Sequence, residues 1–330
     1  MIAAKKHIYI YSPSSAVRDK ASFKRGIKRL KALGHEVEVD ITALAKHQRF
    51  AGDDDTRLAA IDRAAASGAD VALITRGGYG LTRILPAVNY KALAKSIDKG
   101  CKFVGQSDFT ALQMALLAKT GAVTWAGPAL GEDFGTADTP DDIMEACFDD
   151  LIGGQGEGAG WQLPKPSVYS ALNATDSIAA CAHKQASTDS FIVKNALLWG
   201  GNLAVLASLI GTPYFPKIET LKGGILFIED VGEHPYRVER ILTHLRHAGI
   251  LASQKAIVFG QFSNYKLVPG YDSGFNLAAV AVRLQSQVKA RVLMGLPFGH
   301  VATKTLLPVG AKVTLAVEGR DALIFWGHHV

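Results

Sequence analysis

The chain has 330 residues, of which 48% are hydrophobic and 20% charged, with 33 glycines and a formal net charge of +6. That balance excludes a mainly disordered chain, and no apolar run approaches the roughly 18 residues a membrane helix needs. Cys101, Cys147 and Cys181 are too few and too scattered for a disulfide framework and match no CxxC spacing, which fits a reducing, cytoplasmic setting.

The opening MIAAKKHIYIYSPSS lacks the apolar core and cleavage site of a signal peptide, and residues 7–11 read as a first strand. The densest basic stretch, RDKASFKRGIKRLK, carries Phe23, Ile27 and Leu30 at helical spacing. It predicts an amphipathic helix over 22–33 whose lysines and arginines form a solvated face. No helix-turn-helix, RNP-like or aromatic-interleaved basic motif accompanies it, so neither nucleic acid nor membrane is an expected partner. Strand 36–40, helix 54–66 and strand 70–75 follow, then the glycine-rich RGGYG at 76–80. A helical region to residue 97 leads to strand 102–104, helix 108–119, strand 123–126 and helix 141–152. Strands alternating with helices imply an α/β fold with a parallel sheet covered on both faces. Ligands of such sheets sit at the carboxyl ends of the strands.

The second half reads differently. GGQGEGAG at 153–160 has the composition of a flexible linker. Pro164, Pro166 and the Ser/Thr-rich stretch to about residue 190 suggest short strands and turns. Helix 202–209, strand 224–229, helix 235–248 and strands 256–259 and 292–295 come next. The tail from Lys304 reads as antiparallel strands turning near Gly310 and Gly319. The expected organisation is an α/β domain over residues 1–152, a linker and crossover over 153–190, and a second, mixed domain over 191–330. No internal repeat is visible.

Four segments could carry chemistry. GQSDF places Ser107 on the turn between a strand and a helix, where its hydroxyl would be lifted from the sheet and the next backbone N–H would point into the same space. The same position suits a plain helix cap. RGGYG is neither a P-loop nor GxGxxG. Its Gly78, or Gly77, could bring a backbone N–H to an oxyanion, or simply make a tight turn. ILFIED ends in Glu229 and Asp230, followed by Glu233, and these acids could orient a histidine or remain loop charges. GLPFGH places His300 just past another strand. His244 and His247 sit in a helical stretch, and His328 and His329 in the C-terminal tail. No histidine, cysteine or carboxylate group has metal spacing, so no metal or cofactor is expected. A serine needs a base to ionise near neutral pH, histidine can be that base, and an acid fixes its tautomer.

Taken together, RGGYG, GQSDFTAL, GGNLAVLASLIGTPYFP, ILFIEDVGEHPYRVERIL and GLPFGHVATKTLLPVGAKVTL resemble the LD-carboxypeptidase family, the muramoyltetrapeptide carboxypeptidases and microcin C immunity peptidases. The resemblance runs from the SPSS of residues 12–15 to the final strands. It implies a serine peptidase with a Ser107, Glu229, His300 triad and oxyanion donors from the N–H groups of Asp108 and Gly78. It also implies a flavodoxin-like N-terminal domain carrying the serine, a smaller swivelling β/α domain carrying Glu229 and His300, and a homodimer acting on muropeptides. Gln106 stands where family members often have an aromatic residue, which alters one wall of the site. Arg83, Trp199 and Asn202 are candidates for substrate contact. The main expectation is release of terminal D-alanine from murein tetrapeptides in the cytoplasm. The alternatives are an immunity-type peptidase acting on peptide–nucleotide conjugates, for which the loops near Trp199 and Gly200 would offer an aromatic sandwich, and a non-catalytic muropeptide-binding module.

Overall fold

The computed structural model describes residues 5–165 and 190–327. The expected turns after Pro166, together with Cys181, His328 and His329, lie outside the described residues.

The first half alternates as its sequence suggests. Strands β1 (His7–Tyr11), β2 (Glu36–Val39), β3 (Val71–Ile74), β4 (Lys102–Gly105) and β5 (Thr124–Ala126) pair in parallel, in the order β5-β4-β3-β1-β2. Helices α1 (Lys20–Ala32), α2 (Asp54–Ala66), α3 (Leu81–Ile84), α4 (Tyr90–Asp98), α5 (Phe109–Thr120) and α6 (Asp142–Gly153) connect and cover them. This is the flavodoxin-like order, with its switch point between β1 and β3. The side chains of β1 divide by period two. Ile8 and Ile10 join Val71, Leu73, Phe23, Leu30 and Phe148 on one face, while Tyr9 and Tyr11 join Ala72, Ile74 and Phe103 on the other. The helices begin where side chains can cap them: Asp53 accepts from the Thr56 amide and Asp141 from those of Ile143 and Met144.

The second sheet runs β10-β9-β8-β7-β12-β13-β6. Its parallel half comprises β7 (Phe191–Asn202), β8 (Ile225–Val231), β9 (Ala256–Ser263) and β10 (Arg291–Leu293); β12 (Lys312–Glu318), β13 (Asp321–Phe325) and β6 (Gly158–Gln162) are antiparallel. Helices α7 (Leu203–Ser208), α8 (Ile218–Leu221), α9 (Pro235–His247) and α10 (Leu277–Gln287) complete it.

Three features differ from the sequence reading. Residues 158–162, expected within a linker, form β6 on β13, because alternate side chains Ala159 and Trp161 are buried. Residues 191–202 form the long strand β7, which the sequence reading did not anticipate. The tail does not fold as one antiparallel set: β11 (Leu307–Val309) crosses to the first sheet and pairs with β5, and only β12 and β13 form the expected hairpin at Gly319. Helix α5 is buried along Phe109–Leu117 because β7 and α7 of the second sheet pack over it. One hydrophobic core therefore continues from the first sheet into the second.

Candidate active site

Three turns of the first sheet meet at the carboxyl ends of β1, β3 and β4. Ser107 lies between β4 and α5 with φ +64, a left-handed conformation that costs a residue bearing Cβ about 1–2 kcal/mol. Strain of this kind marks a nucleophile elbow. Phe109 and Asp108 hold the turn from behind. The buried Asp108 carboxylate accepts from the Ser14 hydroxyl (2.5 Å) and the Leu81 amide (2.9 Å), tying the loops after β1 and β3 to the start of α5. The RGGYG loop presses on the serine. A Cβ on Gly77 would stand 2.5 Å from Ser107 Cβ and 2.8 Å from its Oγ, so only glycine fits there. Gly78 follows with φ +105. The backbone amides of Gly78 and Asp108 donate to no protein group among the described residues.

Glu229 and His300 come from the second sheet. The pairing of β8 with β9 shifts register between Ile228 and Asp230, around Glu229, at the carboxyl end of the strand. Such an irregularity re-aims a side chain. Glu229 is fully buried, and its Oε2 lies 2.8 Å from His300 Nδ1. The loop carrying His300 is held by Phe298, which packs edge-on to Phe227 with centroids 5.5 Å apart. It bends at Gly299 (φ +144), where a Cβ would meet the Gln261 carbonyl at 2.7 Å. Burial pushes the His300 pKa down, but the hydrogen bond and charge of Glu229, aided by Glu132, outweigh it and leave the group raised above its ordinary value. Glu233, the other acid of that segment, points instead to Arg237 at 3.8 Å.

Ser107, Gly78 and His300 line one cleft of about 630 Å³, together with Arg18, Arg76, Gln106, Glu132, Asp133 and Lys304. Several of these were not singled out from the sequence. Residues 130–134 form a single π-helical turn, a geometry frequent at functional sites, and it delivers Glu132 and Asp133. Lys304, 1% exposed, binds Asp133 Oδ1 (2.6 Å) and Gln106 Oε1 (3.0 Å), while the Gln106 amide nitrogen donates to Glu132 (3.3 Å). Gln106 thus makes a polar, cross-linked wall beside the serine. The signal available in the sequence was the GEDF of residues 131–134 and a lysine four residues past His300.

Arg83, Trp199 and Asn202 are not brought to this cleft. Arg83 pairs with Asp54 (3.1 Å) and lines a separate cavity with His47 and Asp53. Trp199 is fully buried, donates to Gln254 (2.9 Å) and packs edge-on to Phe215, so it offers no stacking surface. Asn202 is 4% exposed, caps α7 at Val205 and donates to Asp230 (3.0 Å). Arg83 links two helices of the first half, and Trp199 and Asn202 serve the second sheet's framework. No group of three or more His, Cys, Asp or Glu side chains able to hold a metal occurs among the described residues, and none of their helices is long and apolar enough to cross a membrane.

Comparison with known proteins agrees with this architecture. Residues 8–127 match the LD-carboxypeptidase N-terminal domain and residues 195–315 the LD-carboxypeptidase C-terminal domain. The crystal structure of muramoyltetrapeptide carboxypeptidase from Oxalobacter formigenes superposes with a TM-score of 0.82 at 36% identity, covering 97% of this chain and 98% of that one. The probable murein peptide carboxypeptidase of Bacillus subtilis is 28% identical over 89% of this chain and 84% of its own length. The microcin C7 self-immunity protein MccF of Escherichia coli is 27% identical over 76% of this chain and 72% of its own length. With both domains matched in order and a near full-length relative above 30% identity, the chain belongs to the LD-carboxypeptidase family of serine peptidases.

Proposed function

We propose that this carboxypeptidase removes the terminal D-alanine of murein tetrapeptides with Ser107 as nucleophile, His300 as base and Glu229 as the acid that orients it. The observation that carries the reading is a serine at φ +64 sharing one cleft with a histidine whose Nδ1 sits 2.8 Å from a fully buried glutamate. Glu229 accepts from Nδ1–H, which leaves Nε2 as the proton acceptor. Nε2 takes the Ser107 proton as Oγ bonds to the scissile carbonyl carbon. The amides of Gly78 and Asp108 donate to the oxyanion. When the C–N bond breaks, Nε2 returns the proton to the departing D-alanine amine. Water then attacks the acyl-enzyme, giving its proton to Nε2, and Ser107 is regenerated with that proton.

Most side chains lining the cleft are charged or polar, and no Phe, Tyr or Trp is among its described lining residues. With Trp199 buried, this favours a charged muropeptide over a nucleobase conjugate. The cations Arg18 and Arg76 against the acid Glu132 suit a zwitterionic peptide. On this reading the domains are residues 1–152 and 191–330 with 153–190 as linker and crossover, and the working form is a cytoplasmic homodimer; sedimentation tests the dimer and cell fractionation the location. The decisive experiment incubates the protein with a murein tetrapeptide and follows products by mass spectrometry. Release of D-alanine is expected from the wild type and not from Ser107→Ala. A peptide left intact by the wild type, or cut elsewhere, overturns the reading.

A further inference from the structure

We infer that Arg76 is the residue that holds the substrate's free C-terminal carboxylate, and so makes this site a carboxypeptidase rather than an endopeptidase. The inference rests on the peptidase reading of the cleft. A leaving D-alanine carries its carboxylate one carbon beyond the scissile nitrogen. Its partner must therefore be a cation close to the nucleophile and the oxyanion donors.

Three cations line the cleft. Lys304 is spent: Asp133 and Gln106 take its donors at 2.6 and 3.0 Å, and it is almost wholly buried. Arg18 is exposed at the rim. Arg76 differs from both. Its side chain is 14% exposed, and its nearest carboxylate, Glu132, stands 3.9 Å from Nη2, too far for a hydrogen bond. Nη1 is buried and has no hydrogen-bond partner. An unanswered donor on a charged group is costly inside a protein and asks for a ligand.

The position of Arg76 fits that ligand. It opens the RGGYG loop, and a Cβ on Gly78 would lie 3.0 Å from Arg76 Nη1, while one on Gly77 would lie 2.8 Å from Ser107 Oγ. The guanidinium and the nucleophile thus flank the same glycine pair, with the Gly78 amide between them. A planar guanidinium meets a carboxylate through two parallel hydrogen bonds, which a lysine cannot reproduce. Burial disfavours the charge on Arg76, Glu132 supports it, and Arg18 and Arg49 oppose it. A bound carboxylate would supply the missing countercharge.

The test compares a murein tetrapeptide ending in a free D-alanine with the same peptide ending in the carboxamide. The wild type should cleave the acid far faster than the amide. In Arg76→Met, kcat/KM for the acid should fall roughly 10²–10³-fold and the amide rate far less, so that the preference collapses. Arg76→Lys, which keeps the charge and loses the fork, should lie between. If Arg76→Met melts abnormally, the lysine variant decides. Acid and amide rates that fall together, or a preference that survives both substitutions, would show a merely structural role and overturn the assignment while leaving the peptidase reading intact. A wild type that cleaves neither peptide overturns the peptidase reading itself, and the assignment with it.

Discussion

Replacing Gly77 by alanine should cripple the enzyme without removing any catalytic group. The φ of Gly77 lies outside the left-handed region, so the backbone itself tolerates alanine. The obstacle is Ser107. The new methyl would stand 2.5 Å from Ser107 Cβ, 2.8 Å from Oγ and 3.1 Å from the Gln106 carbonyl. Ordinary carbon contacts begin near 3.5 Å, so the two turns must part by about 1 Å. A displacement of about that size at a nucleophile costs on the order of 10²-fold in rate. Overpacking adds roughly 1–3 kcal/mol of instability. The assay is kcat on a murein tetrapeptide, with a thermal melt to show that the protein is folded. Gly153→Ala is the control, since its methyl would meet nothing closer than 3.8 Å and should leave kcat unchanged. A Gly77→Ala enzyme with near-normal kcat would mean that the loop yields freely, and the claim that RGGYG fixes the serine would fall.

Ser107→Ala and Ser107→Gly should both lose activity on the order of 10⁶-fold, but glycine should be the more stable of the two by about 0.5–1 kcal/mol because only it is at ease at φ +64; identical melts would contradict the strain. Glu229→Ala should cost on the order of 10⁴ in kcat, whereas Glu233→Ala, which removes only a long contact with Arg237, should cost little; the reverse order in steady-state rates would displace Glu229 from the triad. Because His300 must be neutral to accept the serine proton and its pKa is raised, the acid limb of kcat/KM should lie above the ordinary histidine value of about 6.5, and Glu229→Gln should move it down. A limb at or below that value in the wild type would refute the coupling. Lys304→Met, which strands Asp133 at 6% exposure, should destabilise by about 3–5 kcal/mol in denaturant titrations, and an unchanged midpoint would show that the pair is idle.

The parts of this molecule that announce themselves in sequence are those whose chemistry is local. Alternating strands and helices, the turn chemistry of RGGYG and GQSDF, and the acid ending ILFIED depend on neighbours a few residues away. So does the helical spacing of Phe23 and Leu30, both buried as that spacing implies. The parts that do not are long-range. Two of the six basic residues on α1 are not part of a solvated face: Arg25 and Arg29 donate to the carbonyls of Gly135, Thr136, Phe134 and Asp138, fastening the π-helical turn that carries Glu132 and Asp133. Nothing near Arg25 in the chain reveals that. Trp199 looks like a surface aromatic beside glycines, yet β7 carries it into the core. Arg76 was legible as a residue of the motif, but its isolation is a property of everything packed around it.

The same long-range contacts explain how Ser107 on one sheet and His300 on another can be held in register. Contacts well outside residues 153–165 also bring the two halves together. Past His300, Thr303 donates to Asp141 (2.5 Å) and Lys304 binds Asp133 and Gln106, so the histidine loop is fastened within four residues to the first half, on the residue preceding the nucleophile. The chain then adds β11 to the edge of the first sheet before returning to the second as β12. From the other side, the Asn202 amide donates to Thr110 Oγ1 (3.0 Å), in the first turn of the helix that follows Ser107. Moving His300 away from Ser107 would break a buried ion pair, a strand pairing and this hydrogen bond together. A buried pair contributes little net stability but is costly to break, which suits a tether whose task is position. That is the role the sequence reading missed in Lys304: by its contacts it holds the loop of His300 to the residue that precedes Ser107.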